Sequence, residues 1–310
     1  MQPPSTGPRA ASPLVGQSYA WLATALIATS FPVGEAISPQ LDPFVLTFLR
    51  FLLAAVVIAL FVGWRYGIAW PGWEGLGRYA LISLAMSGFF VTMFEALRHT
   101  TALNTGTLFV LTPAITALYC VFLFGERPRG RTLLALAFGF IGAVWVIFRG
   151  DPDRLFALEI NYGDGMFLLG CFMVSAYAPL VRKLHRGEPA PVIAFWTLSC
   201  ASVWLLLFTN TRLLHVDWDG VATEVYVGIV YLAIVSTVIS TTLYQAAALL
   251  IGPQRLAAYV YLNPALVVVM DWAIGKGLPP LMVLPGVLIV LAATVVLQLR
   301  QPAPVSQPAT

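Results

Sequence analysis

The stretch FLLAAVVIALFVGW, residues 51–64, carries no charged residue and no alternation of apolar with polar positions. A membrane-spanning strand alternates over about ten residues, so a run of this kind predicts helix. Roughly 20 mainly apolar residues are needed for a helix to cross a bilayer. Ten such spans can be drawn, bounded approximately by residues 16–35, 42–63, 77–98, 101–124, 129–148, 163–184, 189–209, 221–249, 253–275 and 279–299. The pattern predicts an all-α membrane protein of ten transmembrane helices. The flanking segments MQPPSTGPRAASP and QPAPVSQPAT are rich in proline and small polar residues, and residues 1–15 and 300–310 are expected to be disordered tails. The single arginine of the first segment does not make a basic signal-peptide head, so span 1 is expected to be retained.

Composition agrees with the pattern: 59% of the 310 residues are hydrophobic and 10% charged, where a soluble domain carries about a quarter charged residues. The positions of the 17 Lys and Arg residues orient the bundle. With the N-terminus inside, eleven fall on inside segments, five (Arg98, Arg149, Arg154, Arg212 and Lys276) fall on outside loops, and Arg50 lies within span 2. The excess of positive charge inside places both termini in the cytoplasm. A net charge of +3 gives no reason to expect a nucleic-acid partner. The expected partners are the bilayer and a small-molecule substrate, and a monomer is compatible with the sequence. Cys120, Cys171 and Cys200 lie singly in different spans, as small core residues with no disulfide or metal spacing.

Prolines interrupt the apolar runs at matched places. Pro113 and Pro264 are 151 residues apart, and Pro32 and Pro179 are 147 apart, close to half the chain. FEALRHTTALNTGTLFVLTP, ending at Pro113, resembles YQAAALLIGPQRLAAYVYLNP, ending at Pro264, and alanine follows both. The chain therefore reads as two five-helix copies, residues 16–148 and 163–299, joined by a loop at 149–162. Because five is odd, the second copy enters the membrane inverted.

A proline inside a helix removes a hydrogen bond and costs about 3 kcal/mol, and such breaks are tolerated where they face protein or a water-filled cavity. Thr112 and Asn263, beside the breaks, can bind a ligand or patch the broken ladder, and both readings stand. Polar residues four apart share a helix face: Ser83 and Ser87 in span 3, Asn104, Thr112 and Thr116 in span 4, Ser236, Ser240 and Tyr244 in span 8, Tyr259 and Asn263 in span 9. Each hydroxyl alone serves helix packing as readily, but four converging stripes favour a cavity. Together with Ser30, Phe31, Phe90 and Tyr177 they form the candidate cavity lining, with Pro32, Pro113, Pro179 and Pro264 as its bends. Rings among hydroxyls suit an amphipathic solute. Arg50 lies about 12 Å into its span and needs a partner. Glu95, toward the outer end of span 3, is the first choice, with Glu35 and Asp271 as others; a structural ion pair and capture of a substrate carboxylate are both open. Glu95 or Asp271 could also carry a coupling proton. Glu126, ahead of Arg127, Arg129 and Arg131, reads as an interfacial salt bridge or cap. Trp64, Trp70 and Trp73 read as interfacial anchors.

The second span with FLRFLLAA, the fourth with TPAITALYCVFLFGE and the fifth with FGFIGAVWVI, followed by a weaker second copy, resemble the drug/metabolite transporter superfamily, in particular its EamA-type ten-helix exporters, over most of the chain. Within it the chain is similar to YddG-type amino acid exporters. The resemblance implies two inverted five-helix repeats around a central cavity, and export of amino acids or related metabolites across the bacterial inner membrane by alternating access. Arginine belongs to that family's second-helix pattern, which supports a structural role for Arg50. The second copy departs from the pattern, with Gly275-Lys276-Gly277 where the first has Gly125-Glu126.

Enzyme chemistry finds no footing. The three histidines lie at span ends or in loops, away from Ser87 in AMSGFF, and there is no HExxH pair or GxxxxGK[ST] loop. No cofactor, metal or ATP is implied, so an ion or solute gradient would drive transport. A channel-like pore remains as an alternative but lacks a filter-like run. Export of a non-amino-acid metabolite or drug remains as another.

Overall fold

The computed structural model describes residues 13–37, 40–97, 99–100, 108–126, 130–148, 161–263 and 281–299, with a few single positions between them. The described residues form helices and turns, with no strand. Among the described residues six helices are long and apolar enough to cross a membrane, and Thr112–Phe124 and Leu284–Val296 are shorter apolar ones. In chain order the described α-helices are α1 (Pro13–Ile37), α2 (Pro43–Arg65), α3 (Gly72–Leu97), α4 (Thr112–Phe124), α5 (Gly130–Ile147), α6 (Tyr162–Leu184), α7 (Ala190–Leu213), α8 (Thr223–Ala233), α9 (Ser240–Ile251), α10 (Pro253–Ala258) and α11 (Leu284–Leu299). A π-helical segment, Ile234–Ile239, joins α8 to α9, and a 3-10 turn, Tyr259–Leu262, follows α10. Helix α1 starts at Pro13, inside the segment expected to be tail, because PLVGQSYAWL already supplies an apolar first turn. Of the expected site residues, Phe31 and Pro32 have side chains outside the described residues, and Asn104, Pro264 and Asp271 lie outside them entirely.

Local sequence explains the ends. Asp42 accepts the Phe44 and Val45 amides to start α2, and Asn161 and Asp164 form a reciprocal capping box on α6. Gly125, at φ +68°, closes α4 in the left-handed conformation that a side chain resists.

We call the end of the bundle where α1 begins proximal and the other distal. Helices α2, α3, α6 and α7 enclose one apolar cluster, and α1, α5, α9, α10 and α11 contribute to a second. Two smaller clusters lie on the flanks of α3, and Phe90 borders both of these and the first cluster. Helices α5 and α11 pack closely on one another. Their contact depends on two glycines: a Cβ on Gly286 would stand 2.8 Å from the Gly142 carbonyl oxygen, and one on Gly142 would stand 3.0 Å from that of Gly286. The pair is tied to the rest through Tyr261, whose ring lies against Gly139 and whose hydroxyl donates to the Leu136 carbonyl at 3.0 Å. The outward side chains of the pair, including Leu134, Phe138, Leu288 and Val296, are exposed and suit lipid contact.

Gly286→Ala is expected to force α5 and α11 apart, at about 1–3 kcal/mol. The apparent melting temperature of detergent-purified protein should fall clearly below that of wild type; an unchanged value would show that the crossing relaxes freely.

Candidate functional site

Proline positions dictate where backbone carbonyls lose their donors, and the structure answers each described case from within the protein. Pro113 sits in the first turn of α4 rather than mid-helix, where a missing amide costs little because it has no intrahelical partner anyway. The Phe109 carbonyl it would have left open accepts from Thr112 Oγ1 at 2.8 Å. Pro179 lies inside an unbroken α6, so the carbonyl of Ser175 is released, and Thr116 Oγ1 donates to it at 3.2 Å. Ser175 Oγ returns a bond to the Thr112 carbonyl, also at 3.2 Å. Thr112 and Thr116 thus patch the ladder and lock α4 to α6. Before Pro264, the Val260 carbonyl accepts the Asn263 amide.

Arg50 is buried, and no carboxylate among the described residues reaches it. Its Nε donates to Thr237 Oγ1 at 2.6 Å and its Nη2 to the Ser236 carbonyl at 3.3 Å. Its guanidinium carbon lies 4.7 Å from the Phe90 ring centroid and 5.9 Å from that of Phe51, both within cation–π range. The expected Arg50–Glu95 pair is not formed: Glu95 instead reaches His99, just past the end of α3, at 3.4 Å. The reason is the π-helical segment, which widens the turn of α8–α9 and turns the Ser236 carbonyl and the Thr237 hydroxyl toward α2. Thr237 closes its own wide turn with a bond to the Leu232 carbonyl, five residues back, at 2.8 Å.

A second polar group lies nearer the proximal end. Gln245, fully buried, donates from Nε2 to the Tyr177 hydroxyl at 2.7 Å, and the Tyr177 and Tyr244 rings stack with centroids 6.0 Å apart. Gln245 Oε1, Asn263 Oδ1 and Ser236 Oγ are all buried without a hydrogen-bond partner, a state native interiors rarely tolerate. Gln245 escaped the sequence reading, although it is the one amide side chain in its span. Ser87 and Ser240 spend their hydroxyls on carbonyls one turn back, at 2.8 and 2.6 Å, and Ser30 bonds the Ile27 carbonyl at 2.5 Å. Buried Tyr259 packs edge-on against Trp21 at 6.2 Å.

Ion pairs hold both ends. At the proximal end Arg78 pairs with Glu188 at 3.1 Å, Arg186 with Glu74 at 2.6 Å and Arg182 with Glu126 at 2.7 Å; Glu126 therefore reaches across to α6. At the distal end Arg212 pairs with Asp42 at 3.0 Å, beside a cavity of about 500 Å³ lined by Gln40, Leu41, Asp42, Arg212, His215 and neighbours. Trp64, Trp70 and Trp73 are exposed at the proximal end.

Glu188 lies in the α6–α7 loop, outside the spanning segments. Burial pushes its carboxyl up, but the Arg186 amide and the Arg78 guanidinium outweigh that and hold it below the usual carboxylate range. A carboxyl lowered in the folded state adds stability above its unfolded value and loses it as pH falls through the folded one. Glu188→Gln is thus expected to melt below wild type at neutral pH, with the gap closing below about pH 4. A gap independent of pH would assign the loss to packing.

Known proteins resemble the chain throughout. An uncharacterized transporter of Archaeoglobus fulgidus is 27% identical over 231 residues, 73% of this chain and 77% of that protein. The uncharacterized transporter YyaM of Bacillus subtilis is 22% identical over 244 residues, 78% of this chain and 80% of its own. A crystal structure superimposes with a TM-score of 0.72 at 17% identity, over 92% of this chain and 98% of that one, which shows a shared fold. The model of the EamA-like transporter family matches residues 14–148 and 161–298, and with that the chain belongs to the EamA-like transporter family.

Proposed function

We propose that this membrane transporter carries amino acids, preferably with apolar or aromatic side chains, or related small metabolites outward across the bacterial inner membrane by alternating access. Ten spans in two inverted five-helix repeats, with both termini cytoplasmic, form the working architecture. The double match of the family model to the two halves and the matched prolines support the duplication, and the distribution of Lys and Arg supports the orientation. Direction and substrate class rest on the resemblance to amino acid exporters.

One observation carries the reading. Gln245 Oε1, Asn263 Oδ1 and Ser236 Oγ are buried and unpartnered in a bundle whose aromatic side chains include Phe90, Tyr177 and Tyr244. Few polar atoms among apolar rings is the make-up of a small-molecule site. Ligand groups would satisfy what the protein leaves open, and the rings would receive an apolar side chain. The ion pairs fit the same account. Asp42–Arg212, Glu74–Arg186, Arg78–Glu188 and Glu126–Arg182 each join a residue of one family-matched segment to a residue of the other. Rocking the halves would break the pairs at one end while keeping those at the other.

Purified protein in proteoliposomes is expected to take up labelled leucine, phenylalanine and tryptophan saturably, with a response to an imposed pH gradient if protons couple. Failure with every amino acid, from folded protein, would move the substrate to another metabolite class. Steady single-channel current would replace the carrier with a pore.

A further inference from the structure

Arg50 is 4% exposed and carries a full charge, and burying a lone charge is strongly unfavourable unless it is paired and hydrogen-bonded. Of its five N–H donors, Nε uses one on Thr237 and Nη2 one on the Ser236 carbonyl. The other three have no acceptor among the described residues, and neither oxygen that it does reach is charged. Phe90 and Phe51 offer ring faces, which attract a cation but do not neutralise it.

Beside this cation is a second open group. Ser236 is 3% exposed and its Oγ has no partner, although its own carbonyl already accepts from Arg50 and from Ser240 Oγ. A serine in a helix usually bonds back to the carbonyl one turn before, as Ser87, Thr92 and Ser240 do here. Ser236 does not, and it lies in the π-helical segment that also presents Thr237 to Arg50. Unused guanidinium N–H groups and an unused O–H, contributed by α2 and by the π-helical segment, share one lack: a negatively charged acceptor.

We propose that Arg50 and Ser236 form a subsite for the carboxylate of the transported solute, with Phe90 covering the guanidinium. The inference rests on the transporter reading and sharpens it, since it makes the carboxylate the group recognised and leaves the α-amino group optional. A guanidinium receives a carboxylate through two parallel N–H bonds, and the hydroxyl adds a third donor. A neutral amide of the same shape would leave the charge uncompensated. Thr237 acts as a positioning residue, holding Nε so that the open side of the fork faces the ligand.

The test compares matched compounds on one purified protein by thermal shift in detergent: phenylalanine and leucine, the desamino acids 3-phenylpropanoate and 4-methylpentanoate, the corresponding carboxamides, and phenethylamine. The acids are expected to raise the melting temperature and the amides and amine to do so at least about tenfold less potently. Arg50→Gln should erase the preference for acid over amide, Arg50→Lys should retain part of it, and Ser236→Ala should weaken acids by about fivefold with little effect on amides. Because each variant is judged by its acid-to-amide ratio, a general loss of stability does not mimic the result. Protection by the desamino acids but not by the amino acids would sink the amino acid assignment and keep the carboxylate subsite. Equal protection by acids and amides, an unchanged ratio in Arg50→Gln, no shift with any acid, or equal protection by chloride or sulfate would overturn the subsite.

Discussion

In a bundle this apolar, a backbone carbonyl released by a proline or a widened turn has no water to turn to and must find a donor within the protein. That constraint accounts for the placement of three hydroxyl side chains. Thr112 serves the carbonyl of Phe109, Thr116 that of Ser175, and Thr237 that of Leu232. The bonds between Thr112, Thr116 and Ser175 then fasten α4 to α6, so the repair of two proline sites also becomes a helix–helix contact. Hydroxyls that would otherwise line a binding site are consumed, and Ser236, Gln245 and Asn263 stand out among the groups left open.

Four ion pairs at the two ends complement this interior arrangement. Arg78 and Arg186 draw the α6–α7 loop onto the start of α3, and Arg182 draws α6 to the end of α4. At the distal end Arg212 bonds Asp42, reinforced by the guanidinium lying 4.1 Å over Phe44. Isolated surface pairs contribute little to stability. In the proposed transport cycle they would be a set of contacts that open and close as units.

Helix and its boundaries were legible in the sequence wherever they depended on neighbours along the chain. The apolar runs predict the long helices, Asp42 and Gly125 mark ends, and the depth of Arg50 singled it out. What could not be read was anything set by a partner in another helix. Glu95 was a reasonable counter-charge by position, but a helical residue reaches only what its face presents: α3 turns Phe90 to Arg50, and the hydrogen-bond acceptors come from the π-helical segment. The π-helical segment leaves no reliable sequence mark, because one wide turn in 29 apolar residues does not alter hydrophobic spacing. Pro113 was assigned to mid-helix because the apolar run continues through it, whereas the backbone begins a fresh helix at Thr112. Gln245 adjoins Tyr244 between three hydroxyl residues and an aliphatic run, and nothing about its spacing reveals that Tyr177 is its partner.

A π-helical turn is equivalent to an α-helix with one residue added. At about 100° per residue, that extra residue sets the faces of α8 and α9 out of phase by more than a quarter turn, and the mismatch is what presents Ser236 and Thr237 to α2 while Gln245 still meets α6. Regularising the segment to α-helix would rotate one of those faces away. The two polar centres of the bundle are therefore joined through the winding of a single helix, and a change of winding would act on both without any side chain being replaced.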